Sequence, residues 1–351
     1  MDKPLAAIKG RGAADNPRGR FEKLERERDE GAEIESRPET VITLQQARSI
    51  ISRNDSPDLP FTQSINPYQG CEHGCIYCYA RPSHAYLGLS PGLDFETRLF
   101  AKENAAELLR SELSRPDYRC ELISLGANTD PYQPAERNAR ITRGVLEVLW
   151  EFRHPVGIVT KGSLIERDLD VLEPMAGEGL VQVFVSIGTL DGEIARTLEP
   201  RAAAPHRRVE TLKRLAARGV PCGVLVAPVI PFLNDKDMEA VLEAAATAGA
   251  RTAGYTLLRL PWEVKDLFKN WLEQHAPLKA AHIMARIRDM RGGRENDPRF
   301  GRRMKGEGQF AELLRARFAV ACRRLGLNAD QRFRLDTGKF RRRSARQGSL
   351  F

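Results

Sequence analysis

Three cysteines, Cys71, Cys75 and Cys78, stand within eight residues in the spacing C-x3-C-x2-C, with Tyr77 directly before the third and Tyr79 after it. No other feature narrows the fold and chemistry as far. Thiolates hold iron–sulfur clusters, and a four-iron cluster has four irons to ligate. With no fourth cysteine nearby, one iron is left open, and an open position signals chemistry rather than structure, as in catalytic metal sites. The same thiols joined by His73 or His84 would make a Cys3His zinc site. Structural zinc sites usually pair two short knuckles far apart in sequence, and an aromatic directly before the third cysteine has no role in them.

The cysteines sit at the start of a repeated alternation. Short apolar runs that fit buried strands occur at 63–66, 122–125, 156–160, 181–187, 223–226 and 252–257. Segments with helical spacing lie between them, at 98–113, 142–152, 165–175, 208–217 and 238–248. In the second of these, Val145, Leu146, Leu149 and Trp150 fall on one helix face. Such alternation predicts an α/β fold with a parallel sheet and helices outside it. Periodicity alone fits a partial barrel or an open doubly wound sheet. In either, ligand groups gather at the carboxyl ends of the strands, which is where the cysteine loop follows the first run.

The run from Asn66 to Arg81, NPYQGCEHGCIYCYAR, resembles the cluster loop of the radical S-adenosylmethionine (SAM) superfamily, in the branch that contains spore photoproduct lyase and poorly characterised bacterial relatives. The resemblance spans roughly residues 60–290. It implies a partial (β/α)6 TIM-like barrel over 60–260, a [4Fe–4S] cluster on Cys71, Cys75 and Cys78, and SAM chelated by the open iron. It also implies reductive cleavage of SAM to a 5′-deoxyadenosyl radical and an electron donor such as flavodoxin or ferredoxin. Tyr77 is expected near the adenine. Thr129 and Asp130, after the second strand, become partners for the SAM ammonium group. Lys161, after the third, becomes a partner for its carboxylate, and Ser186, ending the fourth, for a ribose hydroxyl. Ala227 to Pro231 forms an apolar corner suited to an adenine face, and Glu199 and Arg201 are placed to reach the same rim.

Two departures matter. The Gly-Gly-Glu run by which many members bind the SAM ammonium is missing. So is the hydrogen-donating cysteine of spore photoproduct lyase, since the matching stretch reads Ala127-Asn128-Thr129-Asp130. That argues against the same lyase reaction. Cys120, Cys222 and Cys322 read as small buried hydrophobes.

Charge is unevenly spread. The whole chain carries +8, but residues 291–351 hold 17 Lys/Arg against 6 Asp/Glu, so the first 290 residues sum to −3. Residues 1–40 are polar and highly charged, which predicts a disordered extension. Residues 261–326 predict a helical region, with segments at 264–275, 282–290 and 310–325. Residues 327–351 predict a mobile basic tail. There Phe333 and Phe340 interleave with arginines, the composition of a nucleic-acid-binding segment. The last five residues, Gln347 to Phe351, resemble peptides that dock on the bacterial sliding clamp, although Gly348 replaces the more usual leucine. The absence of an apolar leader or a membrane-length apolar run, and the lack of a disulfide pattern, predict a cytoplasmic protein without membrane contact. The function these features imply is a radical SAM enzyme acting on a nucleic-acid or DNA-repair-related substrate. The alternatives are a non-catalytic zinc- or Fe–S-bearing nucleic-acid-binding protein, and a radical SAM enzyme acting on protein or a small molecule.

Overall fold

The computed structural model of the chain describes residues 7–21, 38–330 and 334–342. Its centre is a sheet of six parallel strands in the spatial order Thr252–Leu257, Cys222–Val229, Val181–Ser186, Val156–Thr160, Ile123–Leu125, Gln63–Ile65. A seventh strand, Ile51–Arg53, pairs antiparallel with Gln63–Ile65 at one edge. The two outer strands do not pair with each other, so the barrel is partial. Each predicted strand is present to within a few residues.

The helices follow from their apolar spacing. In Met238–Thr247 the buried side chains are Met238, Val241, Leu242 and Ala245, the i, i+3, i+4, i+7 set of one face turned to the sheet. In Ile141–Glu151 the buried set includes Val145, Leu146 and Leu149. Val264–His275 and Pro277–Asp289 pack on each other outside the barrel. In Gln309–Leu325, Leu314 and Ala321 are buried, whereas Leu313 is exposed. No helix among the described residues is long and apolar enough to cross a membrane.

Three expectations are corrected. The segment 98–113 is not one helix. Arg98–Lys102 is a strand with Leu99 and Ala101 buried, and the helix spans Ala105–Ser114. The period-2 pattern at Leu99 and Ala101 fits a second, three-stranded sheet, in which Arg98–Lys102 pairs parallel with Val41–Gln45 and antiparallel with Tyr68–Gln69.

Part of the N-terminal extension, expected to be disordered, is packed on the body of the fold. Residues 7–21 form an irregular strap with Ile8 and Ala13 buried. Leu93 donates its N–H to the Asp15 carbonyl, and the side chain of Asn16 pairs with Asp94. Further on, the Arg20 guanidinium stacks 4.0 Å from the centre of the Trp262 ring and pairs with Glu263. Backbone hydrogen bonds to other segments replace the core that the strap's own composition lacks.

The basic tail is anchored over residues 334–342. Phe340 packs against Tyr118 and His154, with ring centres 5.6 and 5.5 Å apart, and Lys339 bonds Glu178. Arg341 donates its N–H to the Phe152 carbonyl, and Arg342 donates to that of Tyr118. These partners precede the strands Ile123–Leu125, Val156–Thr160 and Val181–Ser186, so this part of the tail lies at the amino ends of the strands. Phe340 is therefore committed to the protein and unavailable for stacking on bases. Phe333 and the clamp-like residues Gln347 to Phe351 lie outside the described residues. Phe340→Ala should cost about 2 kcal/mol through lost aromatic packing. A calorimetric melt would show a lower Tm, and cluster content should be unchanged.

Candidate active site

The cysteine loop leaves the first barrel strand and is fixed by bonds from four directions. Cys71 donates its N–H to the Phe95 carbonyl (2.9 Å), and Ile76 donates to that of Leu198 (3.0 Å). The Gln133 side chain accepts from the Glu72 N–H and donates to the Gly70 carbonyl. The most buried anchor is Arg81. Its guanidinium donates to the carbonyls of Cys75 (2.9 Å), Gly74 (3.1 Å), Pro91 (3.1 Å) and Gly92 (2.9 Å), and it pairs with the wholly buried Glu96.

Glu96 in turn accepts the N–H groups of Gly12 (3.0 Å) and Ala13 (2.9 Å). The N-terminal strap is thus part of the scaffold of the cysteine loop. The approach requires glycine: a Cβ on Gly12 would stand 1.8 Å from the Gly74 carbonyl oxygen. Gly12→Ala should push the strap off the loop and destabilise the protein by about 1–3 kcal/mol. Proteolysis should then cut within residues 7–21 faster than in the unaltered chain.

Cys71, Cys75 and Cys78 line one cavity of about 500 Å³ at the carboxyl ends of the barrel strands. Cys71 and Cys75 are buried, and Cys78 is half-buried. Burial pushes the Cys71 thiol well above its ordinary range and the Cys75 thiol up to about 12. Cys120, Cys222 and Cys322 do not line the cavity; Cys222 and Cys322 are buried and Cys120 half-buried. Among the described residues, no three His, Cys, Asp or Glu side chains gather as ligands for a single metal ion. His73 pairs with Asp130 at 3.3 Å, and His84 bonds the Arg98 carbonyl.

The residues singled out in the sequence divide between the cavity wall and the shell behind it. Tyr77, Lys161, Ser186 and Asp130 line the cavity, as do Ala227 and Pro228. The Tyr77 hydroxyl donates to Glu199, which also pairs with the buried Arg208. Burial opposes the charge of Lys161, but Cys75 and Glu199 outweigh it and hold its pKa above the usual lysine range. Asp130 is used locally. One oxygen accepts from the Thr160 hydroxyl and the Tyr132 N–H, and the other from the Lys161 N–H (2.6 Å). Burial raises its pKa, yet His73 and these donors prevail and lower it to about 2.

Thr129 does not line the cavity; its buried hydroxyl donates to the Tyr68 carbonyl. Glu199 and Arg201 also stand behind the wall, with Arg201 paired to Glu72. Gly126 is part of the wall, at a φ of +88°, and a Cβ there would meet the Val159 carbonyl oxygen at 2.5 Å.

Sequence reasoning missed several residues. Arg81, Glu96 and Arg208 carry no spacing signal, because each meets its partner only in the fold. Arg259, Arg303 and Met304 complete the lining of the cavity. They come from after the last barrel strand and from the loop before Gln309–Leu325, segments without a motif.

The comparisons agree with this geometry. Residues 65–245 match the model of the Radical SAM superfamily. The uncharacterized protein Rv2578c of Mycobacterium tuberculosis (strain ATCC 25618 / H37Rv) is 36% identical over 277 residues, covering 78% of this chain and 77% of that protein. The uncharacterized protein MJ0683 of Methanocaldococcus jannaschii is 26% identical over 213 residues, covering 61% of this chain and 76% of that one. Among solved structures, spore photoproduct lyase complexed with dinucleoside spore photoproduct shares the fold at a TM-score of 0.55 and 14% identity, over 82% of this chain and 80% of that one. A substituted spore photoproduct lyase with bound AdoMet and the same dinucleoside gives a TM-score of 0.55 at 15% identity, with the same coverage. With its cysteine loop, partial barrel and strand-end cavity in the expected relation, the chain belongs to the Radical SAM superfamily.

Proposed function

We propose that the protein is a radical SAM enzyme in which Cys71, Cys75 and Cys78 hold a [4Fe–4S] cluster, and that its substrate is a nucleic acid or a nucleic-acid-related molecule. The donor set fits the group: three thiols on one cavity wall, with the remaining cysteines elsewhere. When bound, such a cluster supplies the open iron and the electron for reductive cleavage of SAM to methionine and a 5′-deoxyadenosyl radical.

The chain's own residues then orient and shield. Lys161 would offer an ammonium to the SAM carboxylate, and Ser186 a hydrogen bond to a ribose hydroxyl. Ala227 and Pro228 give an apolar wall for the adenine. Tyr77 is held in place by Glu199 and Arg208, which fixes its ring beside the cysteines. Asp130 keeps a negative charge on the rim for the SAM ammonium, while Thr129 acts from behind by holding the Tyr68 carbonyl. The observation that carries this reading is the shared wall: the three cysteines, Lys161 and Ser186 face one space.

The nucleic-acid substrate is supported by the fold shared with spore photoproduct lyase, one structure of which contains a dinucleoside lesion. A protein or small-molecule substrate is the second reading, favoured because residues 334–342 of the basic tail dock at the opposite end of the strands. Specifically deuterated oligonucleotides decide between them. Incubated with SAM and dithionite, a true substrate transfers deuterium into 5′-deoxyadenosine; no transfer from any labelled nucleotide position would overturn the nucleic-acid reading.

A further inference from the structure

The cavity has a second cationic end that the SAM-binding residues do not use. Arg259 follows the last barrel strand and lines the cavity beside Tyr79, the residue after Cys78. Its guanidinium lies 5.1 Å from the centre of the Tyr79 ring, and Nη1 stands 3.9 Å from the Met304 sulfur. Among the described residues no carboxylate pairs with it, and its buried Nε has no hydrogen-bond partner.

Its neighbours are satisfied. Arg303 grips Asp58 with two nitrogens, and Arg291 donates to the carbonyls of Leu258, Arg302 and Arg303. Burial lowers the pKa of Arg259; Tyr79 and the Asp58 carboxylate act against this and the Arg303 cation with it, and the net direction is down. A half-buried cation with unused donors costs stability unless something completes it. Opposite it, the Tyr79 ring is pinned, since its hydroxyl donates to the Ala127 carbonyl.

We propose that Arg259 is the residue that grips a phosphodiester of the substrate, with two N–H donors on two phosphate oxygens and the Tyr79 ring beneath the guanidinium. The planar fork of arginine matches a phosphate bidentately, and stacking on an aromatic ring keeps its edge donors free. A cavity of about 500 Å³ admits a nucleotide-sized group rather than a duplex. This assignment rests on the nucleic-acid reading given above.

The test uses the full-length, anaerobically reconstituted protein and isothermal titration with two probes: the dinucleotide d(TpT) and its uncharged methylphosphonate analogue. The expected result is that the unaltered protein prefers d(TpT), that Arg259→Gln weakens it by about 10-fold or more, and that the analogue binds both proteins alike. Arg259→Lys, which keeps the charge but not the fork, should recover part of the loss. Melting curves would establish that both variants are folded. If d(TpT) binds the unaltered protein and both variants equally, the role of Arg259 is overturned while the nucleic-acid reading stands. If neither probe binds the unaltered protein, both fall together.

Discussion

Arg81→Met should strip the protein of most of its bound iron and lower its stability by about 3–5 kcal/mol. The reason lies in what the side chain leaves behind. Glu96 would be a wholly buried carboxylate without its cation, and the carbonyls of Gly74 and Cys75 would lose their donors inside the cysteine loop. Arg81→Lys keeps the charge but cannot reach so many carbonyls, so it should fall between the two. Iron and sulfide analysis after reconstitution, set beside thermal melts, checks this. Full iron content in the Arg81→Met protein would show that the loop holds its shape without this anchor.

The second large effect is expected at Arg208. Arg208→Met should also cost about 3–5 kcal/mol, because it leaves Glu199 charged and buried beside Tyr77 and Lys161. Unlike Arg81, this arginine stands behind the part of the cavity assigned to SAM, and it donates to the Ser186 carbonyl. Loss of SAM affinity should therefore accompany the loss of stability, while iron content is largely kept. The double variant Arg208→Met/Glu199→Gln removes the unpaired charge and should recover much of the stability, but not the affinity. Equilibrium binding of SAM and chemical denaturation read the two effects separately. Full recovery of both in the double variant would reduce the pair to a structural ornament of the wall.

The parts of this architecture written locally were legible in the sequence. Buried strands such as Val156–Thr160 and Thr252–Leu257 are continuous apolar runs, and the helix Val264–His275 shows its face by spacing alone. The cysteine triplet and Tyr77 were legible because one loop contains all of them. What depended on distant partners was not. The strand Arg98–Lys102, as long as Val156–Thr160 but with a charged residue at each end, is settled only by its pairing with Val41–Gln45 and Tyr68–Gln69. The strap over residues 7–21 has only Ile8 and Phe21 as large apolar residues, and Glu96, some 83 positions from Ala13, supplies acceptors that order it. Phe340 looked like a base-stacking aromatic in a basic tail, yet it closes a pocket formed by Tyr118, Phe152 and His154. Several C-terminal arginines that gave the chain its basic end are spent on ion pairs, as with Arg317 and Glu239 or Arg303 and Asp58. At the site, Asp130 and Thr129 were picked by position, but only the fold shows that the hydroxyl of Thr129 is turned to the Tyr68 carbonyl.

Three thiolates on a [4Fe–4S] cluster would leave one iron open for SAM. Electron paramagnetic resonance of the anaerobically reconstituted, dithionite-reduced protein, recorded with and without SAM, tests it most directly. The account predicts about four irons per chain, a reduced-cluster signal that shifts when SAM is added, and release of methionine with 5′-deoxyadenosine on turnover. A signal that is identical with and without SAM, with the SAM recovered intact, would contradict it.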